Sequence, residues 1–384
     1  MMKVGQWKRG WQLSVAAMVL TLVTVGAGAL TAQGDNSDEP GNWPAVFTLT
    51  NDANGNELAV FEPDGNGGFE APQFFATGGK GTGAGLGNAG ALALSNNSQF
   101  LYAVNAASDT ITVFQLGQSG PRAVQVIASG GANPISLAVH GHLLYVLNAG
   151  GAVGDADSIA GFKIDGRGGL SPLKNSVRSL SAANTGPAQI GFSANGTVLT
   201  VTEKTTNLIT LFAVDSHGVP SARVFVDSNG QTPFGFAFTN DDLLVVSEAH
   251  QGPPGSSAVS SYELDEGGFL DLVSGSVSTH QAAACWIAIT DDDRFAYSAN
   301  TGSKSISGFK IGGQGNLTLL DTDGITATTG AVPTDLYSSG KALFVLNSGD
   351  GSVGAYAIGN DGSLTPLAVG HGLPPTHPTG LVAR

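Results

Sequence analysis

The chain has 384 residues, 56 of them glycine, with 12% charged and 7% aromatic residues and a net charge of −14. That length suits one large β domain or two average domains, and a 41% hydrophobic content excludes a disordered polypeptide. The acidic balance disfavours nucleic acid and anionic membranes as partners by repulsion, and the lone cysteine, Cys285, excludes an internal disulfide.

In chain order, residues 1–32 read as an export signal. Lys3, Lys8 and Arg9 precede an apolar run from Leu13 to Leu30, followed by small residues at Ala27, Ala29 and Ala32. The alternative is an uncleaved anchor, because about 18 apolar residues is the lower limit for spanning a bilayer. The Gly, Ala and Thr content of the run favours cleavage, which takes the net charge to −17 and leaves an extracytoplasmic (secreted or periplasmic) protein with no membrane segment. Residues 33–44 are expected to form a flexible leader and 45–384 the folded domain.

Repeats dominate that domain. The phrases "LYAVN", "LYVLN", "FAYSAN" and "LFVLN" belong to a series ending at Asn51, Asn105, Asn148, Glu203, Glu248, Asn300 and Asn347, at intervals of 43 to 55 residues. Such a period is that of propeller blades. Each unit reads as four short strands, with β-branched and aromatic residues in the strands and Gly, Asn and Asp in the turns. The first unit begins at a second strand, "AVFTLTN", and its missing first strand stands at the C-terminus as "HPTGLVA". The expected fold is therefore all-β: a seven-bladed β-propeller whose ring is closed by the C-terminal strand joining the N-terminal blade, which removes its open edges.

Alternating strand direction places first-strand starts and second-strand ends on one face, here called upper, and the acidic hairpins around Asp241, Asp291 to Asp293 and Asp361 on the lower. The upper face carries the polar candidates: Gln189, Glu203, Lys204, Glu248, His250, His280, Gln281, Cys285, Asp335 and His377. Asparagine at a strand end holds the following turn with its amide. A glutamate, when ionised, cannot donate, so Glu203 and Glu248 stand apart. In adjacent blades they are expected to share a cavity, where one carboxyl would be pushed upward for general acid/base work. The competing reading is local pairing, of Glu203 with Lys204 and of Glu248 with a backbone amide. Trp286 offers an apolar floor. Asp155 and Asp157 have calcium-like spacing but are too few for a site, and no zinc spacing, phosphate loop or G-x-S-x-G elbow is present.

The units "LYAVNAASDTITVF" and "FAYSANTGSKSISGFKIGGQGNLTLL" resemble those of the seven-bladed lactonase family, which includes propeller-type 6-phosphogluconolactonases and carboxymuconate-lactonising enzymes; the "YVTN"-like repeats of other surface propellers are similar too. The resemblance covers residues 45 to 384. It implies a Glu at one second-strand end, matched by Glu248, and His and Arg at first-strand starts. Here Ala188, Phe234 and Gly235 stand at those starts, and Thr301 where an arginine often follows. An anionic lactone would want those cations. The expectation is thus a lactonase-like hydrolase for a small uncharged lactone or related ester. Glu248 and Glu203 would be catalytic, and Gln189, Asp335, His250 and His280 would hold the substrate, with no metal and no cofactor. The alternative is a non-enzymatic propeller serving as a binding or scaffold module.

Overall fold

The computed structural model describes residues 43–150, 156–265 and 267–384; the export-signal and anchor readings and Asp155 lie outside them. Seven antiparallel sheets, each of four strands or with one short addition, make seven blades. Blade 3 is typical: Pro134–His140, Leu143–Asn148, Ser158–Ile164 and Leu170–Pro172 run from the axis outward. One short 3-10 turn, Ala106–Ser108, is the sole helical element among the described residues.

Ring closure occurs as the repeats require. Thr379–Ala383 pairs antiparallel with Val46–Leu49, matching Val46 with Ala383 and Phe47 with Val382. First-strand starts do pair with second-strand ends: Pro134 with Asn148, Pro187 with Glu203, Pro233 with Glu248, Pro333 with Asn347. Blade 1 departs from the reading of the repeat. Its second strand stops at Leu49, and Thr50, not Asn51, makes the next cross-strand contact, donating its N–H to Glu57 O (2.9 Å). Asn51 lies one residue beyond, in a left-handed backbone (φ 56°).

Three devices hold neighbouring blades together. Apolar side chains interdigitate between sheets, and second-strand tyrosines reach across to the next blade's outer hairpin: Tyr102 donates to Gly168 O (3.1 Å), Tyr145 to Gly218 O (2.6 Å), Tyr297 to Gly362 O (2.9 Å). Those glycines have positive φ and lie so close to Phe100, Leu143 and Phe295 that a Cβ would fall 2.3 to 2.6 Å away, so only glycine fits both the turn and the contact. On the lower face the acidic hairpins are stitched rather than merely solvated. Asp242 accepts from Ala194 N (2.5 Å), Asp293 from Asn240 N (3.0 Å), and Asp291 from Gly340 N (2.9 Å), each across a blade boundary.

The third device lies at the axis. The first strands of blades 1 and 3 to 7 carry a bulge near their start, and in blades 3 and 4 the bulged side chain bonds the next blade. Ser136 Oγ accepts from Ile190 N (3.1 Å). Gln189 pairs with Phe236 twice, through N (2.9 Å) and O (2.8 Å). The residue before the strand is left-handed at Asn133, Thr232, Ala283 and Val332, and His377, two residues before the closing strand, is left-handed as well, which gives it a backbone role at the entry to that strand.

Candidate functional site

The repeated strand-end residue sits beneath the crossover from the preceding blade. A glycine of that crossover packs flat on it: a Cβ on Gly79 would lie 2.3 Å from Asn105, on Gly131 2.7 Å from Asn148, on Gly330 2.8 Å from Asn347, and on Gly230 2.1 Å from Glu248. In blades 2, 6 and 7 the amide donates to hydroxyls of the third strand. Asn105 Nδ2 reaches Thr110 (3.1 Å) and Thr112 (2.8 Å), and Asn300 Nδ2 reaches Ser305 (3.1 Å) and Ser307 (2.9 Å). Blade 3 has Ala160 at the matching place, and among the described residues Asn148 Nδ2 and Oδ1 lack partners.

A hydroxyl can donate as readily as it accepts, and that is how glutamate fits the same position. Glu203 is fully buried. Its Oε1 accepts from Ser181 N (3.2 Å) and Thr210 Oγ1 (2.6 Å), and its Oε2 from Ser181 Oγ and Thr206 Oγ1 (2.9 Å). Glu248, also fully buried, accepts at Oε1 from Gly230 N (2.8 Å) and Ser260 Oγ, and at Oε2 from Ser276 Oγ (2.6 Å). The two carboxylates have no hydrogen-bond partner in common: each is satisfied within its own blade and the crossover above it. Lys204 does not pair with Glu203 but turns to the carbonyls of Gly87 and Pro187 (3.1 Å).

The two environments differ at Oε2. Glu203 has two donors there; Glu248 has one, plus the His250 ring with Nε2 3.9 Å away. That Nε2 is buried without a hydrogen-bond partner, while 27% of the side chain reaches solvent, so the ring turns its nitrogen inward and another edge outward. His250 (φ 46°), Gln251 (φ 60°) and Ser276 (φ 43°) are all left-handed, a conformation costly for residues other than glycine. Ser276 lies where the outermost strand of blade 5 slips register; its hydroxyl donates to Glu248 and accepts from Asn229 Nδ2 (2.7 Å), and it is partly exposed. Serine, carboxylate and imidazole thus meet at the upper edge of blade 5. Ser276 escaped the reading of the repeats; Gly275 inside a nine-residue strand is the signal for a bulge there.

The remaining candidates are scattered. Gln189 is committed to its interblade pair with Phe236. Asp335 is buried at the axis, accepting Leu336 N (2.9 Å) with Leu381 and Gly90 amides also bonded to it; burial outweighs these bonds and pushes its carboxyl up to about 8. His280 is exposed, in a left-handed loop between blades 5 and 6, with Nδ1 3.4 Å from Ser278 Oγ. Cys285 is buried, its thiol pushed up to about 12 by burial, in an apolar cluster with Trp286 and Phe234. Asp157 accepts from Thr185 N (2.6 Å) and Oγ1 (2.8 Å). Among the described residues no group of three or more His, Cys, Asp and Glu is placed to hold a metal.

The channel mouth, where first strands converge, is crossed by the glycine-rich segment before the first strand of blade 2. Ala84 O accepts from Asn51 (2.8 Å) of blade 1, Gly87 O from Lys204 of blade 4, and Asn88 O from Trp286 Nε1 (2.9 Å) of blade 6. Asn88 Nδ2 donates to Ile135 O of blade 3, and Ala89 N to Ala188 O (3.0 Å) of blade 4. Four blades are tied to one strap.

Comparison with known proteins agrees with this architecture. The model of the family described as "Lactonase, 7-bladed beta-propeller" matches residues 54–182, 174–279 and 256–374. A periplasmic gluconolactonase from Pseudomonas aeruginosa has a similar structure, with a TM-score of 0.67 at 17% identity over 88% of this chain and 98% of its own. A protein described as a putative 6-phosphogluconolactonase from Bacteroides fragilis gives 0.64 at 16% over 90% and 99%. A Lactobacillus plantarum protein gives 0.68 at 18% over 88% and 98%. These identities establish likeness of fold. No curated protein matches the chain by sequence.

Proposed function

The chain belongs to the seven-bladed β-propeller lactonase family, and from that premise we propose that it is an exported hydrolase of a small uncharged lactone or related ester. The reaction is assigned to the upper edge of blade 5. One observation carries the reading: His250 Nε2 is buried, unpartnered and 3.9 Å from the Glu248 carboxylate, a combination that no strand-end asparagine has.

In this scheme His250, oriented by Glu248, takes a proton from water as the water oxygen bonds to the lactone carbonyl carbon. Asn229 Nδ2, which keeps a second N–H beside its bond to Ser276, supplies a donor to the oxygen that gains charge. The ring C–O bond then breaks, its oxygen takes the proton from His250, and the product is the open hydroxy acid, with one water added. An uncharged substrate suits an acidic protein that lacks cationic side chains at Ala188, Phe234 and Gly235. The signal-like pattern of residues 1–32 supports export, as does the fold shared with a neighbour described as a periplasmic gluconolactonase.

The test is hydrolysis of a panel of uncharged lactones by the protein and by Glu248→Gln, His250→Gln and Glu203→Gln. At least one lactone should be turned over, with kcat reduced about 100-fold or more by the first two changes and little altered by the third. A panel left intact, or a Glu248→Gln variant with full activity, would end the proposal. The second reading, a non-enzymatic binding or scaffold module, draws support from the strap across the channel and would gain from that negative result.

A further inference from the structure

Lys204 is a cation with no carboxylate in contact. It is half-buried in a protein of net charge −14, yet among the described residues no carboxylate lies within 4.0 Å of its ammonium. Its Nζ bonds the main-chain carbonyls of Gly87 and Pro187 and lies 4.8 Å from the centroid of the Phe234 ring. Trp286 packs edge-on to the same ring at 5.0 Å and gives its indole N–H to Asn88 O (2.9 Å). A cation and an indole donor flanking one aromatic ring are therefore filled by the carbonyls of two consecutive residues.

We propose that Lys204 Nζ, Trp286 Nε1 and the Phe234 ring form a binding site for a small monocarboxylate, and that the strap at Gly87 and Asn88 is its internal stand-in. A carboxylate is the group that matches. It offers two acceptor oxygens to the two donors and one negative charge to the one cation, and charge-assisted bonds are roughly twice as strong as those the neutral carbonyls make. A phosphate would bring more charge than one lysine neutralises, into an acidic surrounding. A lactone carbonyl would bring no charge at all. Burial lowers the Lys204 ammonium to about 8, outweighing the opposing pull of Cys285 and Asp157. The strap is rich in glycine, at Gly83, Gly85, Gly87 and Gly90, and a Cβ at Gly85 would meet nothing within 4 Å. Its two carbonyls would exchange protein donors for water. This site is separate from Glu248 and His250 and does not depend on hydrolysis.

The experiment is titration of the purified protein with benzoate, a flat probe for the Phe234 face, followed by calorimetry. Methyl benzoate, of like shape but uncharged, and inorganic phosphate serve as comparisons. Asn88→Ala removes the strap's anchors on Ile135 and Thr379. Benzoate should bind saturably, about tenfold more tightly to Asn88→Ala and about tenfold or more weakly to Lys204→Met and Trp286→Phe. Methyl benzoate and phosphate should bind at least about tenfold more weakly than benzoate. In the unaltered protein, benzoate should also slow reductive methylation of Lys204, read by mass spectrometry, so the result does not hang on a variant that fails to fold. Absence of benzoate binding to both the unaltered protein and Asn88→Ala would overturn the proposal. So would equal affinity for methyl benzoate, or Lys204 methylation indifferent to benzoate.

Discussion

Glu203 and Glu248 end equivalent strands in adjacent blades, and both are fully buried. Around Glu203 four donors divide evenly between the two oxygens, and the crossover above supplies a serine that bonds through both N and Oγ. Around Glu248 the crossover supplies Gly230 N instead, and the space beside Oε2 is taken by a histidine nitrogen with no partner. The difference teaches that a carboxylate at this position is not itself a sign of chemistry. It is a variant of the strand-end asparagine, made possible because hydroxyls reverse their role. What marks blade 5 is the company Glu248 keeps: His250 and Ser276, both in left-handed backbone.

The sharpest way to break the comparison is catalytic. Glu248→Gln should lower lactone turnover about 100-fold or more while Glu203→Gln changes it less than about twofold; equal losses, measured as kcat under saturating lactone, would make the two sites alike. Stability should order them the other way. Glu203→Ala leaves Thr210, Ser181 and Thr206 without their acceptor and should cost about 3 kcal/mol, more than Glu248→Ala, as urea unfolding can measure. Next comes Gly230→Ala, whose Cβ would fall 2.1 Å from Glu248 Oε2. It should cost about 2 kcal/mol by overpacking and disturb hydrolysis, whereas Gly85→Ala, in open space, should leave stability within about 0.5 kcal/mol.

Asp335 extends the comparison to a third buried carboxyl, one with no hydroxyl donors among its partners. In the fold it stays protonated up to about 8, whereas in the unfolded chain it ionises near its usual value of about 4. The folded state thus binds more protons between those values, and stability falls as pH rises from about 4 to about 8. Asp335→Asn should flatten that slope by about 1 kcal/mol per pH unit or less, seen in unfolding curves at pH 5, 6 and 7. An unchanged slope would show that the amides of Leu336, Leu381 and Gly90 hold the carboxylate ionised.

Much of the architecture was legible in the chain. Seven strand-end phrases and the displaced "HPTGLVA" specify blade count and closure, because a four-stranded unit with one strand missing must find it elsewhere. The slip at Asn51 was not legible, since "TLTN" offers both Thr50 and Asn51 and only the pairing with Glu57 chooses. For the site, the singling out of Glu203 and Glu248 was sound as pattern but silent on partners. Lys204 adjoins Glu203 in sequence, yet it lies in the turn beyond the strand end, and its ammonium finds the strap rather than the carboxylate.

The sequence by itself determined the repeat, the strand order, the closing strand and the sorting of residues between two faces, because these follow from a period of two within strands and of about 50 between blades. Tertiary structure alone decided which polar groups are spent on holding blades together and which are left over. Gln189 and Asp335 are consumed at the axis, Glu203 within its blade, and Asn88 in a strap across four blades. His250 Nε2 is left without a hydrogen-bond partner and Lys204 without a carboxylate in contact. Many of those outcomes depend on groups far apart in the chain meeting at a blade boundary, as Thr379 meets Asn88, and local propensity carries no record of such meetings.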